Sequence, residues 1–400
     1  MAERGVMLKL DNKRAKTIAT IAGDLTYFRY YLRPADEESQ KRLEQEYGVK
    51  SLAPLDEFLG VDRIPFKATY RAALRIARVA LEQPSYVEAE RELSERYHID
   101  VSDDTIRKII IYLGNLDLRE REQVAAQYGD LTPGPRRGRP AKNAITLYLE
   151  LRTIQEGMLS IRAFQVKDGN PVDVHYMCNM GTTEELKVML ASFAIENGLG
   201  KARDVIILHD DSELALSIST ELFPSAKTIL SREAFYRTIL RFADLHLAHY
   251  NNQTWRRKAL FNRIVRMFNE GGCDLVLRVK EVERYENPSK SPASFFRQFI
   301  IDNKEKLNYK RFEDQGLYTG RAISATDPEN RVDAQAQMIN GTWEKEGVNT
   351  YLALLSRYES GQWYTHIVPM VRKEYRKWPT DANTEATSSP TPMNPDARTQ

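Results

Sequence analysis

Four hundred residues give enough chain for two or three domains with real cores. The composition, 28% charged and 42% hydrophobic, is that of a globular protein, and no apolar run reaches the roughly 20 residues of a membrane span, which excludes an integral membrane function. Fifty-eight Lys and Arg against 56 Asp and Glu leave a net charge of +2, so any affinity for nucleic acid must come from local clusters. The two cysteines, Cys178 and Cys273, are far apart and support neither a disulfide framework nor a cysteine zinc site. The opening MAERGVMLKLDNKRAK has charges where a signal peptide needs an apolar stretch, so a reducing cytoplasm is the expected compartment.

Residues 17–33, TIATIAGDLTYFRYYLR, have β-branched and aromatic residues on both sides of Ala22-Gly23-Asp24 and read as a hairpin. A helix-like run covers residues 68–81. Further on, Tyr86, Ala89 and Leu93 share one helical face, His98-Ile99-Asp100 breaks it, and a second helix capped by Ser102 or Asp103 turns Ile106, Ile109, Ile110 and Leu113 inward. Two short helices with a tight connection have the spacing of a helix-turn-helix, in which Thr105, Arg107 and Lys108 would face DNA. Asp103 and Asp104 at that helix's start repel phosphate, so a purely structural helical pair is the rival.

The segment LTPGPRRGRPAK, residues 131–142, is a basic Pro/Gly-rich linker and the clearest boundary. Its Arg136, Arg137 and Arg139 resemble an AT-hook arm, the kind that lays arginines into a narrow minor groove. ITLYLELR then alternates strictly, with Leu147, Leu149 and Leu151 on one face and Tyr148, Glu150 and Arg152 on the other, which is a strand. A helix over residues 181–197 leads into VIILHDDSEL, where a short apolar strand runs straight into Asp210 and Asp211. Such a strand end is either a solvated turn or a place to hold a carboxylate for a metal ion. Residues 232–268 are helical in pattern; within them Arg256, Arg263 and Arg266 fall opposite Phe261, Ile264 and Phe268, a basic face suited to phosphates. The tail from residue 379 lacks apolar residues and is expected to be disordered.

The order of these segments resembles bacterial insertion-sequence transposases of the types abbreviated Lre and Kra. The likeness is carried by GDLTYFRYY, LDEFLG, SYVEAERELSE and VSDDTIRKIIIYLG in the first part, and by NKEKLNY, GLYTG and WEKEGVNTYLALLSRYESGQW in the last. It implies a DDE enzyme that cleaves and joins DNA strands with two Mg²⁺ (or Mn²⁺) ions held roughly 3.5–4 Å apart by converging carboxylates. It also implies double-stranded DNA as partner, a homo-oligomer, no membrane association, and residence in the cytoplasm at the nucleoid.

Carried over residue by residue, the resemblance is incomplete. The first catalytic Asp of the family falls on Arg152, and the second falls on Asp210, the expected metal ligand. Residues 222–230, LFPSAKTIL, match the phrase that follows, but Ser231 and Ala234 stand where Asp and His are expected. Spacing from Gly320 lands near Ser324 or Ala325, and spacing back from Met338 lands on Asp327, with Glu329 two further on. Glu150 shares the face of Arg152 as a substitute ligand, though one pleat repeat moves it roughly 7 Å along the strand. A guanidinium cannot be deprotonated, so at position 152 it reverses the sign of a cation site.

The expected fold class is therefore α/β: an RNase H-like mixed sheet flanked by helices over residues 144–378, with a helical insertion at about 232–315. An N-terminal α+β region with the hairpin and the helix-turn-helix-like pair (1–130), the linker (131–143) and the tail (379–400) complete it. The expected function is that of a transposase-like DNA-binding protein with impaired cleavage. The alternative is a non-catalytic DNA-binding regulator or a structural remnant.

Overall fold

Two aromatic and β-branched stretches meet across a two-residue connection to open the chain as an antiparallel ribbon, β1 (Leu8–Thr20) and β2 (Gly23–Pro34). Thr20 faces Gly23, whose φ of 102° is a conformation that glycine alone adopts freely. The structure is a computed structural model that describes residues 7–47, 50–59, 67–127, 145–248, 253–283, 291–320, 331–339 and 343–376. The basic linker with Arg136, Arg137 and Arg139, the pair Asp327 and Glu329, and the tail from residue 379 lie outside the described residues. The chain divides into two compact units, Met1–Ile106 with Ile367–Gln400, and Arg107–His366.

In the first unit one buried acid organises the inner face of the ribbon. Asp56, on α2 (Pro54–Leu59), accepts from Lys16 Nζ at 2.9 Å and from the Tyr27 hydroxyl at 2.5 Å, and it pairs with Arg29. α1 (Glu37–Tyr47) precedes it, and α3 (Tyr70–Glu82), capped by the Thr69 hydroxyl, buries Ala72, Ile76 and Val79 on one stripe. α4 (Tyr86–Tyr97) starts where the Ser85 hydroxyl accepts the Glu88 N–H, and it ends at His98 in a left-handed conformation. Next comes α5 (Asp103–Gln127), with the Ser102 hydroxyl accepting the Thr105 N–H at 3.3 Å. The helical pair is thus present, with Ala89, Leu93, Ile106, Ile109, Ile110 and Leu113 all buried. Its second member is 25 residues long, against the short helix expected. The division between units falls inside α5, because the later half of that helix carries Asp117 and Arg121 into the core of the second unit. α15 (Val368–Arg376) returns to the first unit and packs on α3.

The second unit is built on a mixed five-stranded sheet in the order β5-β4-β3-β6-β7. β3 (Ile145–Gln155), β4 (Met158–Lys167) and β5 (Asn170–Met180) form an antiparallel meander, while β6 (Ala202–His209) and β7 (Lys227–Leu230) run parallel to β3. The alternation of β3 sends Leu147, Leu149 and Leu151 towards α6 (Thr183–Glu196) and α7 (Glu213–Leu222). Tyr148 joins Phe164, Ile206 and Leu208 on the opposite face, under an aromatic core from α8 (Arg232–His246), α9 (Gln253–Val276) and α11 (Pro292–Asp302). Together with α10 (Lys280–Glu283) and α12 (Tyr309–Asp314), these helices fill the interval between β7 and α13 (Arg331–Ile339), where the helical insertion was expected. The protein is therefore an α/β protein with helices on both faces of a mixed sheet. No helix among the described residues is long and apolar enough to cross a membrane.

The outer edge of β5 is covered by α14 (Lys345–Glu359). Asn349 acts as a surrogate strand, its Oδ1 accepting the Met180 N–H at 2.8 Å and its Nδ2 donating to the Met180 carbonyl at 2.8 Å. α14 also crosses α5 closely at Gly114, where an added Cβ would lie 2.4 Å from the Thr350 carbonyl oxygen. Alanine is the better helix former by about 1 kcal/mol, but overpacking a backbone contact costs about 1–3 kcal/mol. Gly114→Ala is therefore expected to lower stability by up to about 2 kcal/mol in urea denaturation, and a gain would refute the close-approach role.

Candidate functional site

The register β3–β6 pairs Leu151 with His209, which brings the residues just beyond them, Arg152 and Asp210, to the same end of neighbouring strands. Asp210 N–H donates to the Leu151 carbonyl at 3.1 Å, and the Asp210 carboxylate accepts the Thr153 N–H at 2.6 Å and the Ser212 N–H at 3.1 Å. The strand end is thus not a freely solvated turn. Asp210 is a fixed carboxylate, and it also braces the start of α7, which is capped by the Ser212 hydroxyl. Asp211 is exposed. His209 is buried, and the loss of solvation lowers its pKa to about 4, so it is a neutral core histidine.

Arg152 is not left facing an empty carboxylate cage. Its Nη1 donates to Asp333 Oδ2 at 2.9 Å, and Asp333 Oδ1 accepts the Ser160 hydroxyl at 2.6 Å. Asp333 is 2% exposed and lies on α13, which packs on β3 and β5. Glu150, on the same face of β3, meets Arg162 Nη1 at 2.9 Å and accepts the Ser231 hydroxyl at 2.9 Å. Burial pushes the Glu150 carboxyl up, with Arg162 acting against it. Glu233 continues the alternation, 4.0 Å from Arg162 and 3.0 Å from Arg237. These groups border a cavity of about 610 Å³, polar at the strand ends and walled by Phe242, Phe296 and Phe299 from α8 and α11. The Phe242 and Phe296 rings stack at 4.6 Å between centroids.

Asp333, which is buried, and Glu150 and Asp210, which are half-buried, each accept at least two donors from the protein itself, and two of the three face a guanidinium. A divalent cation does not fit such a site. Mg²⁺ needs several free oxygen ligands in a near-octahedral shell. A divalent ion 4 Å from a guanidinium is also repelled by about 8 kcal/mol at an effective dielectric of 20. Among the described residues no group of three or more His, Cys, Asp or Glu is disposed to hold a metal. The cleft can instead take an apolar or aromatic group against its phenylalanine wall, with the arginine side chains at its polar end.

Of the expected ligands, Asp210 and Glu150 border this cavity, and Asp327 and Glu329 lie outside the described residues. A further acid of this cleft, not among the expected ligands, is Asp333. Spacing from Gly320 and Met338 kept attention on residues 321–330, whereas Val332 and Ala336 mark an inward helical stripe with Asp333 beside it. Ser160, Arg162, Glu233 and Arg237 were missed as well. The inward polar alternation of β4, Ser160 then Arg162 between buried Leu159, Ile161 and Ala163, was the available signal.

The expected DNA-facing residues are dispersed. Thr105 lies at the start of α5 with its hydroxyl 3.1 Å from Ser102, and Arg107 and Lys108 are exposed on the next turn. On α9, Phe261, Ile264 and Phe268 are buried as the periodicity requires. Arg263 pairs with Glu281, Arg266 lies 3.9 Å from Glu270, and Arg256 lies 5.9 Å from the Trp255 ring. Of the four arginines on that helix, Arg257, Arg263 and Arg266 each have a carboxylate within 4.0 Å.

Burial raises the Asp210 carboxyl to about 6, against the pull of the two backbone N–H groups and Arg152. The native state therefore keeps this proton at pH values where the unfolded chain has released it. Its stabilising contribution is complete below the unfolded value of about 3.8 and is lost as pH rises through about 6. Asp210→Asn removes that titration. Its stability relative to wild type is expected to improve by about 2–3 kcal/mol between pH 4 and pH 8, read from paired urea titrations. A constant difference across that range would refute the shift.

The fold and cleft define an α/β protein with a mixed sheet and an ion-paired carboxylate site at the ends of its central strands. No protein-family model matches the chain, and no curated protein matches it.

Proposed function

We propose that this chain is a transposase-derived DNA-binding protein of the RNase H-like, DDE type in which metal-dependent strand cleavage has been lost. The observation that carries the reading is the Arg152–Asp333 ion pair beside Asp210. An opening strand and a parallel neighbour ending in an acid are parts the transposase resemblance calls for, and α13 adds a further acid, Asp333. Position 152 alone has changed sign, and its guanidinium occupies Asp333, which would otherwise face the cleft. The cleft is a metal site turned inward on itself, with an arginine supplying the positive charge. DNA binding depends on surface cations and is untouched by that change.

The test is a nicking assay on supercoiled plasmid bearing candidate inverted repeats, with Mg²⁺ or Mn²⁺, alongside gel shifts at two salt concentrations. No cleavage above buffer, together with a DNA shift that weakens steeply with salt, is the expected result. Robust cleavage abolished by Asp210→Ala would restore the active enzyme. Absence of any salt-dependent shift would remove DNA binding.

A further inference from the structure

The β1–β2 ribbon carries a local excess of positive charge. Its strands hold Lys9, Lys13, Arg14, Lys16, Arg29 and Arg33 against only Asp11 and Asp24, although the whole chain is +2. Of the inner-face cations, Lys16 and Arg29 are held by Asp56, and Arg14 lies 5.3 Å from the Tyr31 ring centroid. At the far end Arg33 pairs with Asp11 at 2.8 Å. Lys9, Lys13 and Arg14 are exposed and have no carboxylate partner among the described residues.

The outer face is set by the two-residue alternation and the cross-strand pairs Lys13–Tyr30, Ala15–Phe28 and Thr17–Thr26. Every one of these residues is exposed, and none is acidic. Phe28 is 62% and Tyr30 47% exposed, unusual for two rings on one strand. The Lys13 ammonium lies 4.9 Å from the Phe28 ring centroid and 5.9 Å from that of Tyr30. Two open aromatic rings, one pleat repeat or roughly 7 Å apart, with a cation between them, suit two successive unstacked bases and the phosphate that joins them. A duplex presents phosphates and base edges but keeps its base faces stacked. A second copy of the same face would set lysine against lysine with no acid to neutralise them.

We propose that the outer face of the β1–β2 ribbon, through Phe28, Tyr30 and Lys13, binds unpaired DNA by base stacking and phosphate pairing. This rests on the DNA-binding reading above and locates where one form of DNA is held. The rings support no core, so their removal leaves folding intact.

The experiment is fluorescence anisotropy of the full chain with a labelled single-stranded oligothymidylate and with a duplex of the same length, at 50 and 200 mM NaCl. Expected is salt-sensitive binding of the single strand. Phe28→Ala and Tyr30→Ala should each weaken it roughly tenfold or more. Lys13→Ala should lower the slope of log affinity against log salt by about 0.7, with thermal melts unchanged. Single-strand affinity equal to wild type in all three variants would overturn the site while leaving DNA binding elsewhere in place. Binding of duplex alone, or loss of dimer in light scattering on Phe28→Ala, would overturn the choice of partner. No binding of either oligonucleotide would remove the underlying DNA reading and the site with it.

Discussion

Arg357→Ala is expected to lose about 3–5 kcal/mol of folding stability, the range for breaking a buried ion pair by removing one partner. Arg357 is 2% exposed on α14, and its Nε donates to Asp117 Oδ1 at 2.9 Å, its Nη1 to Gln362 Oε1 at 2.8 Å and its Nη2 to Glu196 Oε1 at 3.0 Å. Asp117, fully buried on α5, also receives Arg121 Nε at 2.8 Å and lies 3.1 Å from His366 Nε2. Burial alone would raise the Asp117 carboxyl, but Arg121, Arg357 and the His366 hydrogen bond outweigh it and hold it well below the usual carboxylate range. That ordering makes the truncation costly: without Arg357, Glu196 loses its guanidinium and Asp117 keeps only part of its compensation. Arg357→Lys keeps the charge but not the three-way fork, so it should fall between wild type and alanine. The depressed carboxyl contributes stability above its unfolded value of about 3.8, and this is lost as pH falls further. In Arg357→Ala the acid loss should begin at higher pH. Chemical denaturation checks both. A cost under about 1 kcal/mol, as for an exposed pair, would mean the cluster is effectively solvated.

How much of this was legible in the sequence follows from the distance over which each feature is written. The strict alternation in residues 145–152 is local, and it correctly separated Leu147, Leu149 and Leu151 from Tyr148, Glu150 and Arg152. The apolar run ending at His209 was likewise enough to assign β6 and to put Asp210 at a strand end. A capping residue, Ser102, marked the start of α5. The partners of the charges were not legible. Arg152 meets Asp333 across 181 positions and Arg357 meets Asp117 across 240, and no spacing rule connects residues that only the packed sheet and helices bring together. The same limit applies to α9, whose basic face is readable from its helical period but whose pairing of Arg263 with Glu281 depends on how the chain folds back. The ribbon is the converse case. Its hairpin was readable, yet its outer face carries meaning only once Asp56 is seen to hold Lys16 and Arg29 on the inner one.

Arg152→Asp should convert a metal-indifferent protein into one that depends on metal for much of its stability. Removing the guanidinium takes one partner from Asp333, which is 2% exposed and also accepts the Ser160 hydroxyl, and adds a further carboxylate at the end of β3. In EDTA the variant should lose about 3–5 kcal/mol, because buried acids now repel one another without a cation. Asp210, Asp333 and position 152 border one cavity, so a divalent ion entering it meets oxygen ligands in place of a repelling guanidinium. At Mn²⁺ concentrations about 100-fold above the dissociation constant, binding restores about 2.7 kcal/mol. Wild type should melt at the same temperature in EDTA and in Mn²⁺, since its arginine already supplies the charge. Adding Asp333→Asn to the variant should abolish the Mn²⁺ response, which ties it to this cleft and not to surface acids. If Arg152→Asp melts identically in EDTA and Mn²⁺, position 152 does not face the other two acids closely enough to share an ion. The ion pair at that position would then be an ordinary structural bridge, and the link between this cleft and a former cleavage centre would fail.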